Sequence, residues 1–238
     1  MSQAVFIAVP HHSELAPQSL EGLMLATARH RYSVNTEGGS LLALMFNLLW
    51  CRALNQRGQR GWTHFAMHHS DIEAPAGWVD VLIDEMERVG ADVISSVIAI
   101  KDNRGLTSTG WQEPESKRIR RLTVREALQL PPTFAAADLP AIGKPAGQHL
   151  MVNTGLWVCR FTESWVEEVC FTVLDAVGKL ADGRFWPRCV PEDWGFSAWC
   201  AERGLKVFAS RAVSVIHHGR AGYTNARPWG EWETDQGD

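Results

Sequence analysis

The chain has 238 residues, 45% of them hydrophobic and 21% charged, with a formal net charge of −4. That length suits one large α/β domain or two small ones, and the composition excludes a disordered chain. The slightly acidic balance excludes a global pull toward nucleic acid or anionic membranes, so any such affinity has to be local.

Residues 5–9 are a short apolar run stopped by Pro10. No basic residue precedes it, so it predicts a buried strand and not a leader peptide. Residues 18–28 are weakly helical. The mainly apolar stretch 40–54, with Gly38-Gly39 before it and Gly58 after it, predicts a buried helix capped by Ser40. Asn47 interrupts it, and it is too short to span a bilayer. Residues 62–67 are the next strand, running into His68-His69-Ser70-Asp71. Over 78–89, Val79, Leu82, Ile83, Met86 and Val89 share one helical face, and Gly90 closes the helix. The β-branched run within 91–100 predicts a central strand. This alternation argues for an α/β fold: a mostly parallel central sheet flanked by helices.

Residues 104–148 are rich in Pro, Gly and charge, which predicts loops and a short helix. Residues 150–159 return to strand character. Val166, Val169, Cys170, Val173, Leu174, Val177 and Leu180 form a further helical face. Pro191-Glu192-Asp193 opens a helix that Gly204 ends, and strands are expected at 205–209 and 212–216. The reading is one domain over 1–222 and a loop-like tail over 223–238 with a frayed acidic end. Five cysteines without a C-x-x-C pair predict reduced, buried thiols and a cytoplasmic location.

Three clusters carry chemistry. The first is the strand that delivers Asp71; ligands of open α/β sheets bind beyond the carboxyl ends of strands. A surface turn is the ordinary role of an aspartate there. The second is Glu192 and Asp193 at a helix start, where acidic residues usually cap but where one carboxylate can serve as a general base. The third is V-S-V-I-H-H-G; strand alternation sends His217 and His218 to opposite faces, so only one meets a cleft.

In this order and spacing the clusters resemble the GT-A fold (Rossmann-like) glycosyltransferases, in particular the family 2-like group, from Val5 to Gly219. The resemblance implies transfer of a sugar from a nucleoside-diphosphate sugar to an acceptor hydroxyl, assisted by Mn²⁺ or Mg²⁺. It implies Asp71, with His69 and His217, as metal ligands, His69 standing where the family's D-x-D motif has its first Asp. It implies Asp193 or Glu192 as the base. Pro10, His11, His12 and Ser13 would border the nucleotide, with Ser70, Asn153 and Gly155 also lining the donor site. A zinc hydrolase lacks its H-E-x-x-H here, and a nucleotidyltransferase lacks its glycine-rich loop. The different-class alternative is a decayed or non-catalytic carbohydrate- or nucleotide-binding module.

The acceptor is hinted at only by Lys117, Arg118, Arg120, Arg121 and Arg125. If helical, Lys117, Arg121 and Arg125 share one side. That face is either solvated and balanced by Glu113, Glu115 and Glu126, or a patch for a phosphorylated acceptor or for nucleic acid bearing a hydroxylated base. Of eleven tryptophans, most are expected in the core, such as Trp50 and Trp165, and Trp111 and Trp194 are the candidates for stacking on a sugar or base.

Overall fold

The computed structural model describes residues 2–12, 14–112, 119–139, 149–180 and 182–236. Strand β1 (Ala4–His11) shows how the sheet is covered. Val5, Ile7 and Val9 pack into one core, whereas Ala4, Phe6 and Ala8 pack into another. A continuous apolar run is what a strand needs when both its faces are buried.

Around β1 lie β2 (Arg31–Gly38), β3 (His64–His68), β4 (Ile72–Glu73), β5 (Val93–Ser96), β6 (Leu106–Gln112), β7 (Ile119–Thr123), β8 (Thr133–Phe134), β9 (Leu150–Met151), β10 (Leu156–Arg160), β11 (Leu174–Lys179), β12 (Phe185–Val190), β13 (Val207–Ser210), β14 (Ile216–His218) and β15 (Gly222–Thr224). The central seven-stranded sheet has the order β2-β1-β3-β10-β5-β13-β8. β1 runs parallel to β2 and β3, and β13 parallel to β5. β10 is inserted antiparallel between β3 and β5, so those two strands point the same way. Five carboxyl ends therefore share one edge of the sheet. This is the Rossmann-like α/β architecture expected from the sequence.

The helices are α1 (Leu20–Met24), α2 (Leu42–Arg60), α3 (Trp78–Val89), α4 (Val124–Gln129) and α5 (Glu192–Glu202). α3 follows its sequence signal to the residue: Trp78, Val79, Leu82, Ile83 and Met86 are buried, and Gly90 ends it at φ 66°. On the opposite face α2 supplies Phe46, Leu49 and Trp50 to an aromatic core with Phe65, Trp157 and Phe171. The Trp50 indole N–H donates to the Val166 carbonyl at 2.8 Å, so this large side chain is buried without an unmet polar group. No helix among the described residues is long and apolar enough to cross a membrane.

Several expectations change. α2 starts at Leu42 with no side-chain cap, so Ser40 does not cap it, and it continues past Gly58 to a left-handed Gly61 at φ 64°. β2 had no clear sequence signal; its alternating partial exposure leaves a weak hydrophobic pattern. The helix read over 166–180 is a short 3-10 turn (Ser164–Glu168) followed by the hairpin β11-β12. Gly183 at φ 89° makes its turn, and Val177 and Phe185 are 76% and 71% exposed, so the apolar period there was a coincidence. The short helix expected within 104–148 is α4, but the basic run before it is strand β7, so Arg121 and Arg125 do not share a helical side. The segment after Gly222 begins as β15, paired with β14, and is loop beyond Thr224, where the Trp232 N–H donates to the Arg104 carbonyl at 3.1 Å. Cys159 and Cys200 are buried, but Cys51, Cys170 and Cys189 are exposed. Ser13, Glu113, Glu115, Lys117 and Arg118 lie outside the described residues.

Candidate functional site

The polar end of β3 is built by backbone bonds. His69 N–H donates to the Gly155 carbonyl at 2.7 Å, and Ile72 N–H returns to the His69 carbonyl at 3.1 Å. This turn swings Asp71 out of the strand. The Ser70 carbonyl accepts from Ala16 N–H at 3.1 Å and from Ser19 Oγ at 2.5 Å, which ties the loop after β1 to the same edge. A Cβ on Gly155 would lie 2.9 Å from Ile98 Cδ1, so glycine lets the two loops approach.

β14 then brings the second histidine pair across. Its antiparallel register sets His217 opposite Ile72, and His218 N–H donates to the Asp71 carbonyl at 2.8 Å. As alternation requires, the two rings part. His218 Nε2 meets Glu73 at 2.7 Å, whereas His217 Nε2 lies 3.4 Å from Asp71 Oδ2. A carbonyl only accepts, so His217 Nδ1 donates to the Ala99 carbonyl at 2.8 Å, and this bond aims Nε2 at the carboxylate. The same Oδ2 takes the Lys101 ammonium at 2.6 Å. Burial alone would raise the Asp71 pKa; the hydrogen bonds from His217 and Lys101 outweigh it and hold the carboxyl well below its ordinary range.

Glu192 and Asp193 reach the cleft from the first turn of α5. Burial, then the neighbouring charge of Glu192, raises Asp193 from 3.8 to about 7, against a hydrogen bond from Trp194 N–H at 2.8 Å. Burial also raises Glu192. His69 is lowered to about 4 by burial, so its ring is neutral, and its Nε2 is buried without a hydrogen-bond partner.

His69, Asn153, Gly155, Glu192, Asp193 and His217 line one open cleft of about 130 Å³; Asp71 does not line it but is paired to His217, which does. Two larger cavities, about 450 and 430 Å³, lie beside Tyr223 and Trp229 and beside Pro75 and Val215; neither gathers a comparable set of ionisable groups. The Asn153 amide is engaged internally, donating to the Ser96 carbonyl at 2.5 Å and accepting from Gly155 N–H at 2.9 Å. Pro10 and His11 end β1 on the same edge, with the exposed His12 after them, but they do not line this cleft. Ser70 does not line it either.

Arg120, Arg121 and Arg125 of the basic run, and the two tryptophans, have internal partners. Arg121 covers Trp194 at 4.6 Å, Arg120 covers the buried Trp111 at 4.8 Å, and Arg125 reaches the Gly230 carbonyl at 3.4 Å. The buried Trp111 is therefore not an open stacking platform, and Arg121 takes one face of Trp194. Lys101 was missed by the sequence reading; a lysine directly after the β-branched run of 93–100 was its one signal.

A divalent cation does not fit these side chains as they stand. Asp71 and His217 are close enough to share a ligand, but Lys101 holds the carboxylate oxygen, and His69 does not complete the set. Among the described residues no group of three His, Cys, Asp or Glu comes together to hold a metal.

No protein-family model matches the chain, and no curated protein matches it. Among solved structures it is similar to A197 from STIV, with 10% identity, a TM-score of 0.53, and coverage of 99% of this chain and 98% of that one. This likeness concerns the fold alone. Weaker likenesses are to an Entamoeba histolytica protein described provisionally as a UDP-N-acetylglucosamine pyrophosphorylase (8% identity, 88% and 73% coverage, TM-score 0.40). Another is to the nucleoside-diphosphate-sugar pyrophosphorylase from Vibrio cholerae RC9 (10% identity, 87% and 72% coverage, TM-score 0.35). Fold and site together define a Rossmann-like α/β protein with an ionisable cleft at the carboxyl edge of its sheet.

Proposed function

We propose that this chain is a nucleotide-sugar transferase that moves a sugar from a nucleoside-diphosphate donor to an acceptor hydroxyl. The observation that supports it most is that Asp193 and His217, the latter paired to Asp71, line one cleft beyond parallel strand ends. Asp71 holds Lys101, whose remaining N–H groups face the diphosphate, and His217 Nε2 lies against the same carboxylate oxygen. Asp193 takes the proton of the acceptor hydroxyl as its oxygen attacks the anomeric carbon. The bond from that carbon to the diphosphate oxygen breaks, and its electron pair leaves with the diphosphate. A carboxyl raised to about 7 is well matched to this role, since a base works best with a pKa near the working pH. Glu192 serves as the neighbouring negative charge that keeps Asp193 basic.

A second reading, a binding module without catalysis, draws on His69 standing where an acid is expected. A panel of nucleotide sugars offered to the purified protein separates the two. Release of a nucleoside diphosphate that depends on Asp193 supports transfer. A melting shift with nucleotide but no turnover supports binding alone. Neither response to any donor removes both readings.

A further inference from the structure

We propose that Lys101 stands in the place of a divalent cation and lets this cleft bind the donor diphosphate without metal. The proposal rests on the nucleotide-sugar reading above and names the residue that meets the leaving group's charge.

Lys101 is a built feature. It directly follows the backbone bond from Ile100 N–H to the Leu106 carbonyl, 2.8 Å, at the base of a turn that Asp102 stiffens by accepting Arg104 N–H at 2.9 Å. Its stem crosses Gly219, where a Cβ would lie 2.9 Å from Lys101 Cδ. Glycine at the end of β14 therefore gives the lysine its path. The ammonium ends 2.6 Å from Asp71 Oδ2, the oxygen that His217 also faces. An ammonium has three N–H donors and Asp71 uses one; with 38% of the side chain exposed, the others are open to a ligand.

The charges balance. Two carboxylates and a divalent ion sum to zero. One carboxylate, one neutral imidazole and one ammonium also sum to zero. His69 in place of an acid and Lys101 on Asp71 are thus one coupled exchange. A divalent ion beside the same oxygen would have to expel the lysine.

Inorganic pyrophosphate tests this, because it carries the diphosphate charge without base or sugar. Calorimetric titration is run on the full chain in excess EDTA and again with Mn²⁺. Wild type is expected to bind in both, within about threefold. Lys101→Met is expected to lose roughly tenfold or more in EDTA, a loss of one charge-assisted contact, and to recover part of it with Mn²⁺. Gly219→Ala, which deflects only the lysine stem, is expected to weaken binding in EDTA with an unchanged melting temperature. Wild-type binding that requires Mn²⁺, or Lys101→Met binding as tightly as wild type in EDTA, overturns the proposal and leaves the nucleotide-sugar reading standing. Absence of binding under both conditions removes the diphosphate cleft itself, and this proposal with it.

Discussion

His217 reaches Asp71 because a single hydrogen bond orients its ring: Nδ1 donates to the Ala99 carbonyl at 2.8 Å, which leaves Nε2 3.4 Å from Asp71 Oδ2. The pair joins the turn after β3 to β14, two segments that are neighbours only across a short antiparallel ladder. Asp71 is the centre of this contact, so its loss frees Lys101 and leaves His217 Nε2 without its carboxylate. Asp71→Ala is expected to abolish sugar transfer while the fold persists, since the side chain is 36% exposed and no core depends on it. Initial rates of nucleoside diphosphate release alongside a melting curve check this; a fully active variant would contradict it.

Asp193 gives a prediction about pH. As the base it has to be ionised, so the rate should rise with pH along an acidic limb centred near its raised value of about 7. Asp193→Asn should cut the rate by roughly 10²-fold or more. A pH profile of kcat/KM without such a limb, or a near-normal rate, would move the role to Glu192.

The same carboxyl costs stability, with a sign that can be worked out. Its folded pKa lies above its ordinary 3.8, so the folded state favours the protonated form. Its contribution is fully present below pH 3.8 and is lost as pH rises through about 7. Asp193→Asn should therefore melt higher than wild type at pH 8, by on the order of 1–3 kcal/mol after allowing for partial exposure, and lose that advantage near pH 4. Thermal melts at the two pH values measure it, and an equal or lower melting temperature at pH 8 would show that the carboxylate is not strained.

The last turn of the chain packs on the 101–105 turn. Gly105 has φ 82°, and a Cβ on it would meet the Trp229 carbonyl oxygen at 2.5 Å and Gly230 Cα at 2.9 Å. Both contacts are backbone and cannot swing away. Gly105→Ala should destabilise by about 2 kcal/mol or more and expose the chain beyond Thr224 to proteolysis. Denaturant unfolding and limited digestion report the two effects; an unchanged midpoint would mean the close approach is not needed.

Trp50 tests the aromatic core. It touches Phe65, Trp157, Phe161 and Phe171 and is 1% exposed. Trp50→Ala should cost about 3–5 kcal/mol, a large share of the roughly 5–15 kcal/mol that holds a typical domain folded. Trp50→Phe should cost less, with the orphaned Val166 carbonyl as the residual penalty. Urea midpoints for the two variants would rank them.

Local pattern was legible where one segment carries its own cause. α3 is written in five apolar residues on one face and a glycine at each end. β1 is written in an unbroken apolar run. The three polar clusters could be read as strand-end or helix-start features because each lies beside its own hydrophobic segment. Where period and composition disagreed, the sequence misled. The helical spacing of Val166 to Leu180 meant little beside Gly178 and Gly183 in a hairpin, and Arg120 and Arg121 of the basic run are engaged by Trp111, Trp194 and Glu126.

The sequence by itself therefore determined a two-sided α/β sheet and, through the resemblance, proposed that Asp71, His217 and Asp193 meet on one cleft. Only the tertiary structure decided that His217 and not His218 turns to Asp71, that His69 stays outside that pair, and that Lys101 arrives on the same oxygen. Those outcomes depend on the register of β14 against β4 and on the path that Gly219 leaves open. Periodicity reports which face of a segment is apolar, whereas contact between distant side chains follows from how whole strands align, and no local pattern carries that information.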